Sequence, residues 1–156
     1  TQRQKNMAQK IIHAAGGSVE GKTIGVLGIA FKADTDDVRD APSLTIIPIL
    51  QKAGATILAY DPQAQHEADK HLKNINWQTD PYDVAKDADI IVLMTGWNEF
   101  KDLSMNKIGC NMKNKCLVDL HNIYDADKMQ KSGFHYISVG RPAVLSNQSN
   151  KLKQVS

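Results

Sequence analysis

The sequence predicts a doubly wound α/β fold, a three-layer Rossmann-like arrangement with one parallel sheet. Two observations carry this. Short apolar runs rich in Ile, Val and Leu recur along the chain and read as buried strands. Segments with helical spacing or capping signals stand between them, so strand and helix alternate. Right-handed crossovers then cover both faces of the sheet. The expected strand order is 3-2-1-4-5-6, with the switch point between the first and fourth strands.

Residues 1 to 15 read as a helix, because Met7, Ala8, Ile11, Ile12 and Ala15 recur at helical spacing and Gly16-Gly17 is a stop signal. The first strand follows in Lys22 to Ser43, where Ile24, Val26, Leu27 and Ile29 form a near-continuous apolar run and two glycines leave room for close packing. A charged loop, Phe31 to Asp40, leads to a helix opened by Asp40 as N-cap with Pro42 in its first turn. That helix runs to Ala53, should be weakened or kinked by Pro48, and ends at Gly54.

Ala55 to Tyr60 is the second strand, and a helix from Pro62 to about His71 follows. Residues 75 to 79 make a short edge strand, and Asp80 caps a short helix from Pro81 to Lys86. Ala88 to Thr95 and Lys115 to Leu120 are the next strands; after a loop at His121 to Asp125 come a short helix to about Ser132 and a last strand, Phe134 to Val139. Beyond Pro142 the chain is polar and aperiodic and reads as a disordered tail over 143–156.

The bounds are those of one domain: 156 residues suffice for a real core, and 42% hydrophobic content with a net charge of +2 speaks against disorder and against a basic nucleic-acid-binding surface. No apolar run is long enough for a membrane span, and no signal peptide is visible. Cys110 and Cys116 make neither a disulfide framework nor a zinc pattern. The expectation is a cytoplasmic protein. The chain starts at Thr1 rather than Met, which suggests a piece of something longer.

A charged loop at the carboxyl end of a buried strand, running into a helix N-terminus, is where open α/β sheets place ligands. Gly25, Gly28 and Ala30 spell G-x-x-G-x-A, not the G-x-G-x-x-G of a dinucleotide cradle, and about ten residues separate them from the helix. Phe31 offers a stacking face, Lys32 a point charge and Arg39 a planar fork for phosphate or carboxylate. Four aspartates (Asp34, Asp36, Asp37, Asp40) surround them, so composition alone is equally served by a solvated loop of mutually paired charges.

Elsewhere on the same rim, Asp61 closes the second strand. It could hold a ribose, but the simpler reading is a cap for the helix that follows. Trp97 and Phe100 read as a hydrophobic clamp over the sheet end in preference to a nucleobase platform. The five histidines lack metal-ligand spacing, and only His121 falls at a strand end. With no nucleophile beside a base, the rim suits binding and offers no catalytic residue.

Several motifs together resemble the UDP-binding domain of the UDP-glucose/GDP-mannose dehydrogenase family. They are Val26-Leu27-Gly28-Ile29-Ala30-Phe31-Lys32, then Thr35-Asp36-Asp37, Arg39 and Ala41-Pro42-Ser43. Tyr60-Asp61-Pro62, Asp80-Pro81-Tyr82 and Trp97-Asn98-Glu99-Phe100 follow in order. Asp119-Leu120-His121-Asn122-Ile123-Tyr124-Asp125 and Gly133-Phe134, leading to Ser138-Val139-Gly140-Arg141-Pro142, complete the set, so the resemblance spans roughly residues 5 to 142.

The resemblance implies the C-terminal, UDP-sugar-binding part of an NAD-dependent enzyme that takes UDP-glucose to UDP-glucuronate in two hydride transfers. UDP-N-acetylmannosamine and GDP-mannose dehydrogenases are competing readings, as is a free-standing nucleotide-binding module. It implies that residues 1–17 end an inter-domain connecting helix and 18–142 form the UDP-binding domain. NAD would be bound mainly by an N-terminal domain not in this sequence, and the full-length protein would be a homo-oligomer. Phe31 and Lys32 match positions that hold the UDP-sugar, and Arg39 one that reaches NAD. His121 falls where the family commonly has Arg, so the anion contact there is altered, because His offers fewer donors and is largely neutral at pH 7. Gly96 stands where relatives usually have Glu. The family's catalytic cysteine motif is not found, so this chain alone should be inactive.

Overall fold

A computed structural model describes residues 1–138. The chain runs α1 (Gln2–Ala14), β1 (Thr23–Leu27), α2 (Ser43–Lys52), β2 (Thr56–Tyr60), α3 (Gln65–Ala68), β3 (Ile75–Trp77), a 3₁₀ helix (Pro81–Ala85), β4 (Ile90–Leu93), α4 (Asn98–Lys101), α5 (Met105–Asn111), β5 (Cys116–Asp119), α6 (Ala126–Lys131) and β6 (His135–Ser138). The six strands form one sheet in the order β3-β2-β1-β4-β5-β6, every pairing parallel. The alternation of strands and helices therefore gives the predicted order, with β1 against β4 at the switch point.

Local chemistry explains the element ends. α1 stops as expected at Gly16-Gly17: the Gly17 amide donates to Ile12 O and the Gly16 amide to His13 O, a Schellman closure that both glycines permit at φ 97° and 102°. Lys22 Nζ donates to Ala15 O and fastens this corner to the start of β1. Gly25 in β1 is a close approach, since a Cβ there would stand 2.3 Å from the carbonyl oxygen of Val84 in the 3₁₀ helix. Asp80 caps that helix through Tyr82 N, and Asp125 caps α6 through Asp127 N and Lys128 N. Ile24, Val26, Ile90, Ile91, Val92, Leu117 and Val118 form the buried centre of the sheet. Among the described residues no helix is long and apolar enough to cross a membrane.

Several details differ from the sequence expectation, among them α4 (Asn98–Lys101), which was not anticipated. Asp40 does not cap α2: it adopts φ 59°, and Pro42 takes the N-cap position with no side-chain cap. The left-handed residue turns the chain two positions too early for its carboxylate to reach the first helical amides. Pro48 stands inside α2 as expected, where it removes one ladder donor, and the helix runs to Lys52. The helix expected after Pro62 shortens to Gln65–Ala68, because Asp61 spends the first amides on a turn. α5 was not anticipated; Ser104 caps it by accepting from Lys107 N. Val139, the Gly140-Arg141-Pro142 motif and the tail expected over 143–156 lie outside the described residues.

Candidate functional site

The carboxyl ends of β1, β2, β4 and β5 make one rim, and two buried carboxylates organise it. Asp61, at the end of β2, is 6% exposed and accepts with Oδ2 from Ile29 N at 2.7 Å, Ala30 N at 3.0 Å and Trp97 Nε1 at 3.3 Å. Its Oδ1 accepts from Gln63 N and Ala64 N. Asp61 thus holds the turn after β2 and is not the helix cap expected of it, since α3 starts at Gln65 with Ala64 at its N-cap and no side-chain cap. With both oxygens committed to protein donors it does not serve as a ribose acceptor. The carbonyls of the same two loop residues are held as well: Ser43 Oγ donates to Ile29 O and Thr95 Oγ1 to Ala30 O, each at 2.7 Å. Phe31 N then donates to Asp37 O, which closes the loop on itself.

The glycine at the loop's start is committed to packing. A Cβ on Gly28 would lie 2.5 Å from Thr95 Cβ, and Gly28 has φ 89°. Since Gly25 faces Val84 and Gly28 faces Thr95, these glycines leave no open cradle for a dinucleotide pyrophosphate. This agrees with the sequence reading that the fingerprint is missing.

Asp119, fully buried at the end of β5, gathers its own loop. Oδ1 accepts from His121 N, and Oδ2 accepts from Ile123 N, Tyr124 N and Tyr136 Oη. His121 Nε2 lies 2.8 Å from Met94 O. A carbonyl can only accept, so Nε2 carries the proton and Nδ1 is the ring atom left for a ligand. The Tyr124 hydroxyl, buried and near Asp119, has its pKa raised, with burial the larger cause.

Between these two loops and α1 lies a cleft of about 390 Å³, lined by Phe31, Pro42, Met94, Leu120 and His121 and walled on the far side by Arg3 and Met7. Phe31, 48% exposed, is the one large apolar side chain left in solvent among the described residues. The structure thus brings Phe31 and His121 together. Lys32 is exposed beside Phe31, does not line the cleft, and makes no hydrogen bond or close ion pair with a described residue, although its charge acts at longer range on Asp37. Arg39 belongs to a different, shallow depression with Asp36, Asp37, Glu67 and His71. Its guanidinium forks onto Asp37 at 2.9–3.0 Å and its side chain is 86% exposed; that hydrogen bond is the largest cause holding Asp37 down at about 2.

Trp97 and Phe100 are buried, and Phe100 meets Tyr60 edge-to-face at 6.0 Å, so the clamp reading is right and neither ring is a base platform. The sequence analysis missed the α1 wall. Its signal was the i, i+4 spacing of Arg3 and Met7, which puts both on one helix face.

A parallel sheet in this order, with its cleft at the switch point, defines the class of nucleotide-binding doubly wound domains. Residues 25–126 match the UDP-binding domain of the UDP-glucose/GDP-mannose dehydrogenase family, and the chain belongs to that family. The UDP-glucose 6-dehydrogenase of Rhizobium meliloti is 44% identical over 140 residues, covering 90% of this chain and 32% of the relative. UDP-glucose 6-dehydrogenase TuaD of Bacillus subtilis is also 44% identical, over 133 residues covering 85% of this chain and 29% of the relative. Among solved structures, a UDP-D-ManNAc dehydrogenase from Pyrococcus horikoshii superposes with TM-score 0.69 at 26% identity, covering 92% of this chain and 31% of that one. The chain spans about a third of the length of the relatives it matches.

Proposed function

We propose that this chain is the UDP-sugar-binding, C-terminal domain of an NAD-dependent UDP-glucose 6-dehydrogenase. The observation that carries the reading is the convergence of an exposed aromatic, Phe31, and an imidazole, His121, on one cleft at the switch point. Phe31 packs against the bound nucleotide sugar. Lys32, exposed and without a close ion pair among the described residues, neutralises diphosphate charge. His121 presents Nδ1 to the ligand, its Nε2 being held by Met94 O.

NAD is held mainly by another domain, and Arg39 reaches it from a separate depression on this one. That separation from the Phe31–His121 cleft supports two distinct ligands. The domain binds and orients, and the chemistry is done elsewhere. Burial raises the thiol pKa of Cys116, the reverse of what a nucleophile needs, and Cys110 is exposed on α5 away from the cleft lining. The chain alone is therefore expected to reduce no NAD when given UDP-glucose.

The test is calorimetric titration of this chain with UDP. Lys32→Ala should lose about 1.5–3 kcal/mol of binding, or roughly ten- to a hundred-fold, with an unchanged melt. Equal affinities would sink the assignment. In a full-length enzyme, Arg39→Ala should weaken NAD by a similar factor and leave UDP-glucose unaffected; unchanged NAD affinity would reduce Arg39 to a partner of Asp37.

A further inference from the structure

Ile29 and Ala30 link the end of β1 to Phe31 and Lys32 without belonging to a strand or helix. In such a segment the backbone polar groups ordinarily turn to water. Here both residues are buried, at 0% and 1% exposure, and all four of their backbone groups are held by side chains. The two amides go to Asp61 from the end of β2, and the two carbonyls to Ser43 at the start of α2 and Thr95 just after β4. Three elements far apart in sequence thus fix two consecutive peptide units. Ser43 and Thr95 are 1% and 0% exposed, and neither lines the cleft.

On this basis we infer that Asp61, Ser43 and Thr95 are positioning residues, which hold the Ile29-Ala30 backbone as a rigid pedestal so that Phe31 and Lys32 meet a nucleoside diphosphate in one preset geometry. The inference rests on the reading of Phe31 and Lys32 as the ligand-binding pair. A short polar clasp of this kind removes the ordering cost that a ten-residue loop would otherwise add on binding. It also explains how an exposed Phe and an exposed Lys are tolerated at the tip of irregular chain, since the order comes from below the loop. Thr95 is the informative member. Its hydroxyl serves Ala30 O, and its backbone N, Cβ and Oγ1 all pack where Gly28 has no side chain, so Val, which puts a methyl in place of the hydroxyl, keeps that contact filled while removing the donor.

The experiment titrates wild type, Lys32→Ala, Thr95→Val and Thr95→Ser with UDP at a temperature where melts show all four folded. Amide hydrogen exchange over residues 31–38 is followed without ligand. Thr95→Val should weaken UDP about tenfold, the scale of one lost buried hydrogen bond, and speed exchange at Phe31. Thr95→Ser, which keeps the donor, should restore both. A lowered melting temperature with wild-type UDP affinity and unchanged loop exchange in Thr95→Val would make Thr95 structural only and overturn the inference. Wild-type affinity in Lys32→Ala would instead sink the site and the inference with it. The two failures are told apart by which variant keeps its affinity.

Discussion

The rim has two halves, each organised by a buried aspartate at a strand end, and they are built differently. Asp119 works locally: its backbone donors, His121, Ile123 and Tyr124, lie within five residues of it, and only the Tyr136 hydroxyl comes from another strand. Asp61 works across the fold: besides its own turn it holds Ile29 and Ala30, which are 32 and 31 residues away, and Trp97, 36 residues away. Loop length explains the difference. The segment after β5 is short enough to wrap one carboxylate, whereas fifteen residues separate β1 from α2, and the buried amides at their start, Ile29 and Ala30, find their acceptor on another element. A long loop is made rigid from outside, a short one from within.

The largest expected effect separates the two halves directly. Asp61→Ala leaves five donors without their acceptor and should cost about 3–5 kcal/mol, while Asp119→Ala leaves three amides so, the Tyr136 hydroxyl keeping Tyr124 O, on a more accessible loop, and should cost about 2–4 kcal/mol. Denaturant melts of both variants check the order, and a larger loss at Asp119 would reverse the comparison. Next is Gly28→Ala, which forces a Cβ into Thr95 at a φ of 89°. It should destabilise by about 2–3 kcal/mol, and a neutral outcome would show that the Asp61 half yields.

Tyr136→Phe removes a single donor from Asp119 and should cost about 1 kcal/mol, with far less effect on UDP affinity than Thr95→Val.

The smallest effect is a pH dependence. Burial, reinforced by Glu99, raises Tyr60 from 10.0 to about 12, so its neutral form is favoured in the folded state. Stability from this group is complete below pH 10 and lost as pH rises from there through 12. Tyr60→Phe should flatten that part of the alkaline stability curve, and an unchanged slope would remove Tyr60 from the account.

The sequence made the strand order legible because β1, β4 and β5 are continuous apolar runs, a pattern that belongs to strands buried on both faces. The stop at Gly16-Gly17 and the cap at Asp80 were legible because each is settled by residues within four positions. Asp61 shows where such reading ends. The local cap expected of it accounted for the residue completely, so nothing in the sequence called for partners 32 residues upstream. Asp40 misled for a related reason: an aspartate two residues before Pro42 fits an N-cap and a left-handed turn equally well, and φ decides. α5 escaped notice because seven residues containing Gly109 are too few to display a period. Phe31 and His121 could each be named from the sequence, but that they share one cleft depends on which strands are neighbours.

The pairing of β1 with β4 has a kinetic consequence. Thr23 N donates to the carboxylate of Asp89, 66 residues along the chain, and Ile24 pairs with Ile90 beside it. β2 and β3 reach β1 over shorter stretches, and β5 and β6 likewise follow β4, so the sheet divides into two nearly self-contained triplets joined at its middle. Closing that long seam carries the largest loop-closure entropy between neighbouring strands of the sheet and is the step topology makes slow. Until it closes, β1 and β4 each present an apolar edge open to mispairing. Phe31 follows one triplet and His121 the other, so a ligand spanning the cleft would stabilise only chains whose seam has closed.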